Sequence, residues 1–342
     1  SSAASDVYKR QLVKEADHVV IMGHRMSDLD AIGSAEGVLR ICKICDVPAV
    51  IAVRRDATLA GSLINALIAA GQEDDFIDPK GALPIISQRT LCIVVDTYQL
   101  GLVESREILE KCGKVAVIDH HRKGVGYIEN PALVCHEPYS SSASELVTEL
   151  LQYVGERDDK PNRVEAEGLL AGILLDTQDF TLHTGVRTFE AAAALRRYGA
   201  ETERVRRLFD VTMVEYNAKA DLVEKAQMYK NCAISIGGEV APEARVAIAQ
   251  AANDLLRIQG VDASFVAVQV GNGVNVSARS MGAVNVQVIM ESLGGGGHQT
   301  MAAAQLKHIT PQAARSRIQD AIDQYYLSQK KTTPEARPAK GE

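Results

Sequence analysis

Four apolar runs in the first half of the chain each hand over to acidic or imidazole side chains. VVIMGH leads to Asp28 and Asp30, LCIVV to Asp96, VAVI to Asp119-His120-His121, and LLAGILL to Asp176. Longer amphipathic stretches separate the runs, which is the alternation of βα units around a parallel sheet. In an open sheet of that kind ligands bind beyond the carboxyl ends of the strands, so residues distant in sequence are expected to converge on one edge. The pattern thus predicts a fold and a site together.

Strands are predicted at His18–Met22, Pro48–Val53, Leu91–Val95 and Val115–Ile118, and helices at Asp30–Cys45, Gly61–Ala70, Ser141–Val154 and Arg163–Leu175. Residues 15–185 then make an α/β domain, preceded by a polar arm over 1–14. From Val186 to Tyr229 the pattern is helical, with a turn at Gly199, and is assigned as a linker over 186–229. A smaller domain is expected over 230–327, with strands at CAISI, ARVAIA, SFVAVQV and VNVSAR and a helix around Gln250–Ile258. Gly271-Asn272-Gly273 reads as a hairpin turn, and a last helix runs from Pro311 to Leu327. The Lys/Thr/Pro tail over 328–342 is expected to be disordered.

Composition narrows the function classes. A 342-residue chain with 46% hydrophobic residues buries a substantial interior in two domains, and the lack of Trp with only five Phe makes that interior aliphatic. A net charge of -7 argues against a duplex nucleic-acid binder, which needs a broad cationic surface. Phosphate can still be held locally by metal cations. The six cysteines (Cys42, Cys45, Cys92, Cys112, Cys135, Cys232) lie in apolar or helical stretches and read as reduced thiols. Cys42 and Cys45 form a C-x-x-C pair with no second pair to complete a zinc site, and are assigned to core-facing helix positions. No apolar run approaches the length that spans a bilayer, and the start SSAASDVYKRQ has no signal-peptide core. A cytoplasmic location is expected, or the cytoplasmic face of the membrane if the stretch belongs to a longer, anchored protein.

A single Asp after a strand is commonly a cap or turn residue. Four Asp and two His crowded at one edge differ, because like charges in a cleft repel unless cations lie between them. Carboxylate and imidazole ligands without thiolates suit Mn²⁺ better than structural zinc, with Mg²⁺, Fe²⁺ and Zn²⁺ as alternatives. Such ions acidify bound water and offset charge on phosphate oxygens, so no side chain need act as a nucleophile. Ser140, Ser141, Ser142 and Ser144 are accordingly read as turn and N-cap residues opening SASELVTELL, and no G-x-S-x-G elbow is present.

Five motifs follow one another in order: His24-Arg25-Met26-Ser27-Asp28-Leu29-Asp30-Ala31-Ile32-Gly33, Val94-Val95-Asp96-Thr97, Asp119-His120-His121, Leu174-Leu175-Asp176-Thr177 and Gly294-Gly295-Gly296-Gly297-His298. Together, over roughly residues 15 to 325, they resemble the DHH phosphoesterase superfamily and the DHHA1 domain that follows it. The resemblance implies an α/β fold: an N-terminal parallel-sheet DHH domain with flanking helices, a helical linker and a smaller C-terminal α/β DHHA1 domain. It implies that His24, Asp28 and Asp96 hold one metal, and Asp30, Asp96, His120 and Asp176 the other, with Asp96 bridging. Asp96, Asp30 and His120 would stand nearest the chemistry. Asp119 would orient an imidazole, and His121 would be structural or substrate-facing.

In the second domain the glycine run contributes no side chains, so close backbone approach is its expected reason. Gly295, Gly296 and Gly297 would turn N–H groups toward an anion, with His298 adding a donor. Ser277, Arg279 and Asn285 fall where the family's second domain contacts substrate, and the Arg279 guanidinium matches phosphate in bidentate geometry. The runs ARSMGAVNVQVIMESLGGGGHQTMAAAQL and DTQDFTLHTGVRTFEAAAALRRYGA are most similar to membrane-anchored cyclic-di-AMP phosphodiesterases of the GdpP type. Members of that subgroup carry transmembrane helices, a PAS-like domain and a degenerate GGDEF domain ahead of this part. Two positions depart from the wider pattern: His183 stands where Arg is expected, which puts a minor substrate contact in doubt, and Ala304 stands where the general DHHA1 pattern has Gly. The resemblance implies a metal-dependent phosphodiesterase that hydrolyses cyclic di-AMP to 5′-pApA, with no membrane contact by this stretch itself; it leaves a homodimer open. The alternatives are a nanoRNase or adenosine 3′,5′-bisphosphate phosphatase, and a catalytically silent nucleotide-binding regulator.

Overall fold

The computed structural model describes residues 10–121, 126–154, 159–241 and 246–332. The chain forms two units that divide between Asp210 and Val211. In the first, a helix over residues 10–14 (α1) leads into β1 (His18–Met22), α2 (Leu29–Ile44), β2 (Ala49–Ala52), α3 (Gly61–Ala69), β3 (Phe76–Ile77) and α4 (Pro79–Ala82). There follow β4 (Thr90–Val95), α5 (Arg106–Lys111), β5 (Lys114–Asp119), β6 (Leu133–His136), α6 (Ala143–Tyr153), α7 (Arg163–Thr177), α8 (Val186–Arg197) and α9 (Thr202–Arg207).

The six strands make one all-parallel sheet in the order β3-β2-β1-β4-β5-β6. All six residues of β4 are buried, as a strand covered on both faces requires. Alternate side chains serve two cores: Val19, Ile21, Leu91, Ile93 and Val95 on one face, and Val20, Met22, Cys92 and Val94 on the other. The strand order reverses between β1 and β4, so their carboxyl ends border the crevice where a doubly wound sheet binds its ligand.

The second unit holds α10 (Met213–Glu224), β7 (Gln227–Tyr229), β8 (Cys232–Glu239), α11 (Val246–Leu255), β9 (Ala263–Val270) and β10 (Gly273–Ser280). It continues with α12 (Val286–Ser292), β11 (Gly296–Gly297), β12 (Met301–Lys307) and α13 (Pro311–Thr332). Its sheet, ordered β11-β12-β10-β9-β8-β7, is mixed: β8 and β9 are parallel and the other pairings antiparallel. The predicted hairpin at Gly271-Asn272-Gly273 joins β9 to β10, with Val270 opposite Gly273.

Several expectations change. ARVAIA was expected as a strand, yet Val246 onward is helical, because Ala247, Ala251, Ala252 and Leu255 bury one face at helical spacing. Asp176 was grouped with the strand ends, but it lies in the last turn of α7. Of the polar arm expected over 1–14, residues 1–9 lie outside the described residues, while Leu12 and Val13 are buried in the first core. The stretch assigned as a linker divides between the units, with Ala191, Leu195 and Val205 in the first core and Leu222 in the second unit. The last helix continues past Leu327 to Thr332, and residues 333–342 lie outside the described residues. All six cysteines are free. Among the described residues no helix is long and apolar enough to cross a membrane.

Candidate metal centre

The site is built from the ends of elements. Asp28 is the N-cap of α2, its Oδ1 accepting from the N–H groups of Asp30 (3.0 Å) and Ala31 (3.1 Å). This fixes one carboxylate and starts the helix in a single interaction. Asp30, in the first turn of α2, is completely buried and accepts from the N–H groups of Ala143 and Ser144 at 2.8 Å each. Those two groups open α6, so Asp30 sits at a helix N-terminus that favours negative charge. Gly172 makes room for this contact: a Cβ there would lie 2.7 Å from Asp30 Oδ1 and 2.2 Å from Ser144 Oγ. One turn further along α7 comes Asp176.

Asp96 follows β4 with φ of +59°, a backbone state that Asp and Asn tolerate better than most residues. Its carboxylate faces two ways. Oδ2 is 3.4 Å from His24 Nε2, and Oδ1 is 3.3 Å from His120 Nε2. His24 Nε2 also lies 3.7 Å from Asp28, while its Nδ1 meets the Arg25 carbonyl at 2.9 Å, which orients the ring. His120 Nε2 lies 3.0 Å from Asp176 and 3.7 Å from Asp30. Three overlapping groups of ligand atoms result, His24/Asp28/Asp96, Asp30/Asp96/His120/Asp176 and Asp96/His120/His121, and Asp96 belongs to all three.

The electrostatics of this cluster are strained. Burial raises the Asp30 carboxyl well above its ordinary range, and the nearby Asp96 and Asp176 push the same way. Burial likewise raises Asp176, against the pull of His120. Burial works to raise Asp96 too, but its contacts with His120 and His24 prevail and hold it far below the usual carboxylate range. For His24, burial is outweighed by Asp28 and Asp96, which lift its pKa to about 12. The acids therefore demand positive charge. Asp96 Oδ1 and His120 Nε2 are buried and make no hydrogen bond despite their proximity. Buried donors that converge without bonding one another, all oxygen and imidazole nitrogen, fit divalent cations shared between them.

Asp119 is fully buried and holds His121 rather than His120: its Oδ1 is 2.7 Å from His121 Nδ1. His136, at the end of β6, places Nε2 against the His121 carbonyl and packs its ring 5.6 Å from Tyr98. Sequence reading missed this support because β6 is short and partly exposed, and carries no alternating pattern. Ser142 is the N-cap of α6, accepting from Glu145 N–H at 3.0 Å, as expected.

In the second unit, β10 alternates strictly: Val274, Val276, Ala278 and Ser280 are buried, while Ser277 and Arg279 share the other, half-open face. Arg279 donates from Nη1 to Ser277 Oγ (3.1 Å) and to the Ala278 carbonyl (2.9 Å), and desolvation lowers its pKa to about 10. Asn285 is the N-cap of α12, accepting from Gln287 and Val288 N–H. In the glycine run, a Cβ on Gly295 would lie 2.1 Å from the Ala303 carbonyl oxygen, so this residue is needed for the approach of the run to β12. Gly296 and Gly297 pair with Ala303 and Ala302, and His298 N–H donates to the Met301 carbonyl. The glycines thus serve strand packing, with open space beside Gly296 alone among the three.

The chain belongs to the DHH family, with a DHHA1 domain in its second half. The DHH family N-terminal domain matches residues 18–173 and the DHHA1 domain residues 241–327. It is 45% identical over 322 residues to the cyclic-di-AMP phosphodiesterase GdpP of Geobacillus thermodenitrificans and 43% identical over 326 residues to that of Bacillus subtilis. Each alignment covers 93% of this chain and 49% of the relative, so the chain spans about half the length of the curated relatives it matches. A crystal structure of an exopolyphosphatase-related protein from Bacteroides fragilis shares the fold, with a TM-score of 0.81 at 19% identity, covering 96% of this chain and 98% of the other.

Proposed function

We propose that this chain is a phosphodiesterase that binds two divalent ions, Mn²⁺ by preference, and hydrolyses cyclic di-AMP to 5′-pApA. The observation that carries the reading is Asp96, whose two oxygens face separate groups of ligand atoms. The substrate follows the names of the relatives that match 93% of the chain. Bound ions of this kind acidify water and neutralise phosphate oxygens.

The chain's own residues supply the geometry. His24, Asp28 and Asp96 would hold one ion, and Asp30, Asp96, His120 and Asp176 the other. Asp30 is locked by the start of α6 and Asp28 by the start of α2, so both carboxylates are oriented before any ligand arrives. Asp119 sets the ring of His121, which stands beside the cluster as a donor for substrate oxygen. In the DHHA1 part, Ser277, Arg279, Asn285, Gly295, Gly296, Gly297 and His298 would form the substrate-facing surface, with Arg279 on phosphate.

The test is turnover by purified protein with Mn²⁺ on cyclic di-AMP, pApA and adenosine 3′,5′-bisphosphate, followed by chromatography. Conversion of cyclic di-AMP to pApA as the fastest reaction supports the reading. Preference for the linear substrates would replace it with a nanoRNase or bisphosphate phosphatase, and binding without product would mark a silent regulator.

A further inference from the structure

Arg204 and Arg89 each pair through Nε with an exposed carboxylate, whereas Arg54 pairs through Nε with a buried one. Arg54 follows β2, and its Nε donates to Glu104 Oε1 at 2.6 Å, while the Glu104 side chain is only 3% exposed. The two Nη groups of Arg54 make no hydrogen bond among the described residues. Arg40 shows how a structural pair is built in the same unit: its Nε and Nη2 both engage Glu165, at 2.8 and 2.7 Å. Arg187 likewise commits Nε and both Nη groups to Glu149 and Glu137. Arg54 is held by one nitrogen and keeps the fork of its guanidinium open, on a side chain 44% exposed.

Its position follows from the backbone. Glu104 N–H donates to the Gly23 carbonyl at 2.9 Å, and the neighbouring Val103 pairs with His24. On the other side, the turn that Arg54 opens returns through Thr58, whose hydroxyl donates to the Ser27 carbonyl at 2.8 Å. Arg54 is therefore tied to residues adjoining both His24 and Asp28, at the carboxyl ends of the neighbouring strands β2 and β1. Four carboxylates at the cluster balance two divalent ions, which leaves the phosphate charge of a dinucleotide without a counterpart there. A half-exposed guanidinium with a free fork supplies one.

We infer that Arg54, anchored by Glu104, binds a phosphate of the substrate at the rim of the His24/Asp28/Asp96 group. The inference rests on the phosphodiesterase reading. Its test is steady-state kinetics on cyclic di-AMP with Mn²⁺ for Arg54→Gln, Arg54→Lys and Glu104→Gln, with melting temperatures measured alongside. Loss of a charge-assisted contact predicts a KM about 10- to 100-fold higher in Arg54→Gln, with kcat falling less than KM rises. Arg54→Lys recovers part of the loss, since it keeps the charge and not the fork. Glu104→Gln raises KM by a smaller factor. A KM within twofold of the parent in Arg54→Gln, or kcat and KM that change only as the melting temperature collapses, would overturn the inference while parent turnover leaves the phosphodiesterase reading standing. A parent protein that turns over no phosphodiester sinks that reading first, and Arg54's role with it.

Discussion

The two units offer chemistry from opposite parts of a sheet. In the first, Asp28, Asp96, His120 and their neighbours stand at the ends of parallel strands or the starts of helices, and the sheet faces are closed by apolar cores. In the second, Ser277 and Arg279 stand on the face of an antiparallel strand, and one face of β12 is open at Met301, Ala303 and Gln305. Strand ends bring groups from distant stretches to a point, which suits caging an ion. A strand face spreads groups at a two-residue repeat, which suits lying along a ligand.

The sharpest break in this comparison is Asp96→Asn. Removing the carboxylate common to all the ligand groups should lower kcat about 10³-fold, with near-unchanged circular dichroism, because several kcal/mol of charge stabilisation depend on it. Activity within tenfold of the parent would show that the groups do not act together. Next comes Gly172→Ala, which forces a Cβ against Ser144 and Asp30 in a packed interior. It should destabilise the protein by about 1–3 kcal/mol in urea unfolding and depress activity together with stability. An unchanged unfolding midpoint would mean that α6 and α7 part easily.

Arg279→Ala should act on capture alone, raising KM by about tenfold as a charge-assisted contact is lost. Equal loss in kcat would move Arg279 from the binding face into the chemistry. Smallest of all is Arg204→Ala, which removes an exposed pair with Glu201. Its effect on unfolding free energy should lie within about 0.5 kcal/mol, as for other surface pairs. A larger shift would show the outer helices of the first unit to be coupled to the core.

What the sequence made legible, and what it hid, follows the same division. The runs around β1, β4 and β5 are long, apolar and buried on both faces, so their positions and the acids after them could be read directly. LLAGILL was read within a helix over Arg163–Leu175, and α7 runs there and on to Thr177, so Asp176 lies in its last turn and not at a strand end. ARVAIA was read as a strand because small apolar residues carry little period of their own. The support around the site was legible only in part. Asp119 was expected to orient an imidazole, and the structure pairs it with His121. His136 reaching the His121 carbonyl and Glu104 anchoring Arg54 join positions 15 and 50 residues apart, and no local pattern encodes them. The glycine run was legible as a place of close approach, while the partner it approaches, β12, was not predicted.

The backbone at Asp96 carries a last consequence. Its left-handed φ is adopted by Asp and Asn more readily than by most residues. The exchange that best preserves charge, to Glu, lengthens the side chain and carries the carboxylate off the point between His24 and His120, and the exchange that best preserves the bend, to Asn, discards the charge. Mutation at this codon has no quiet path.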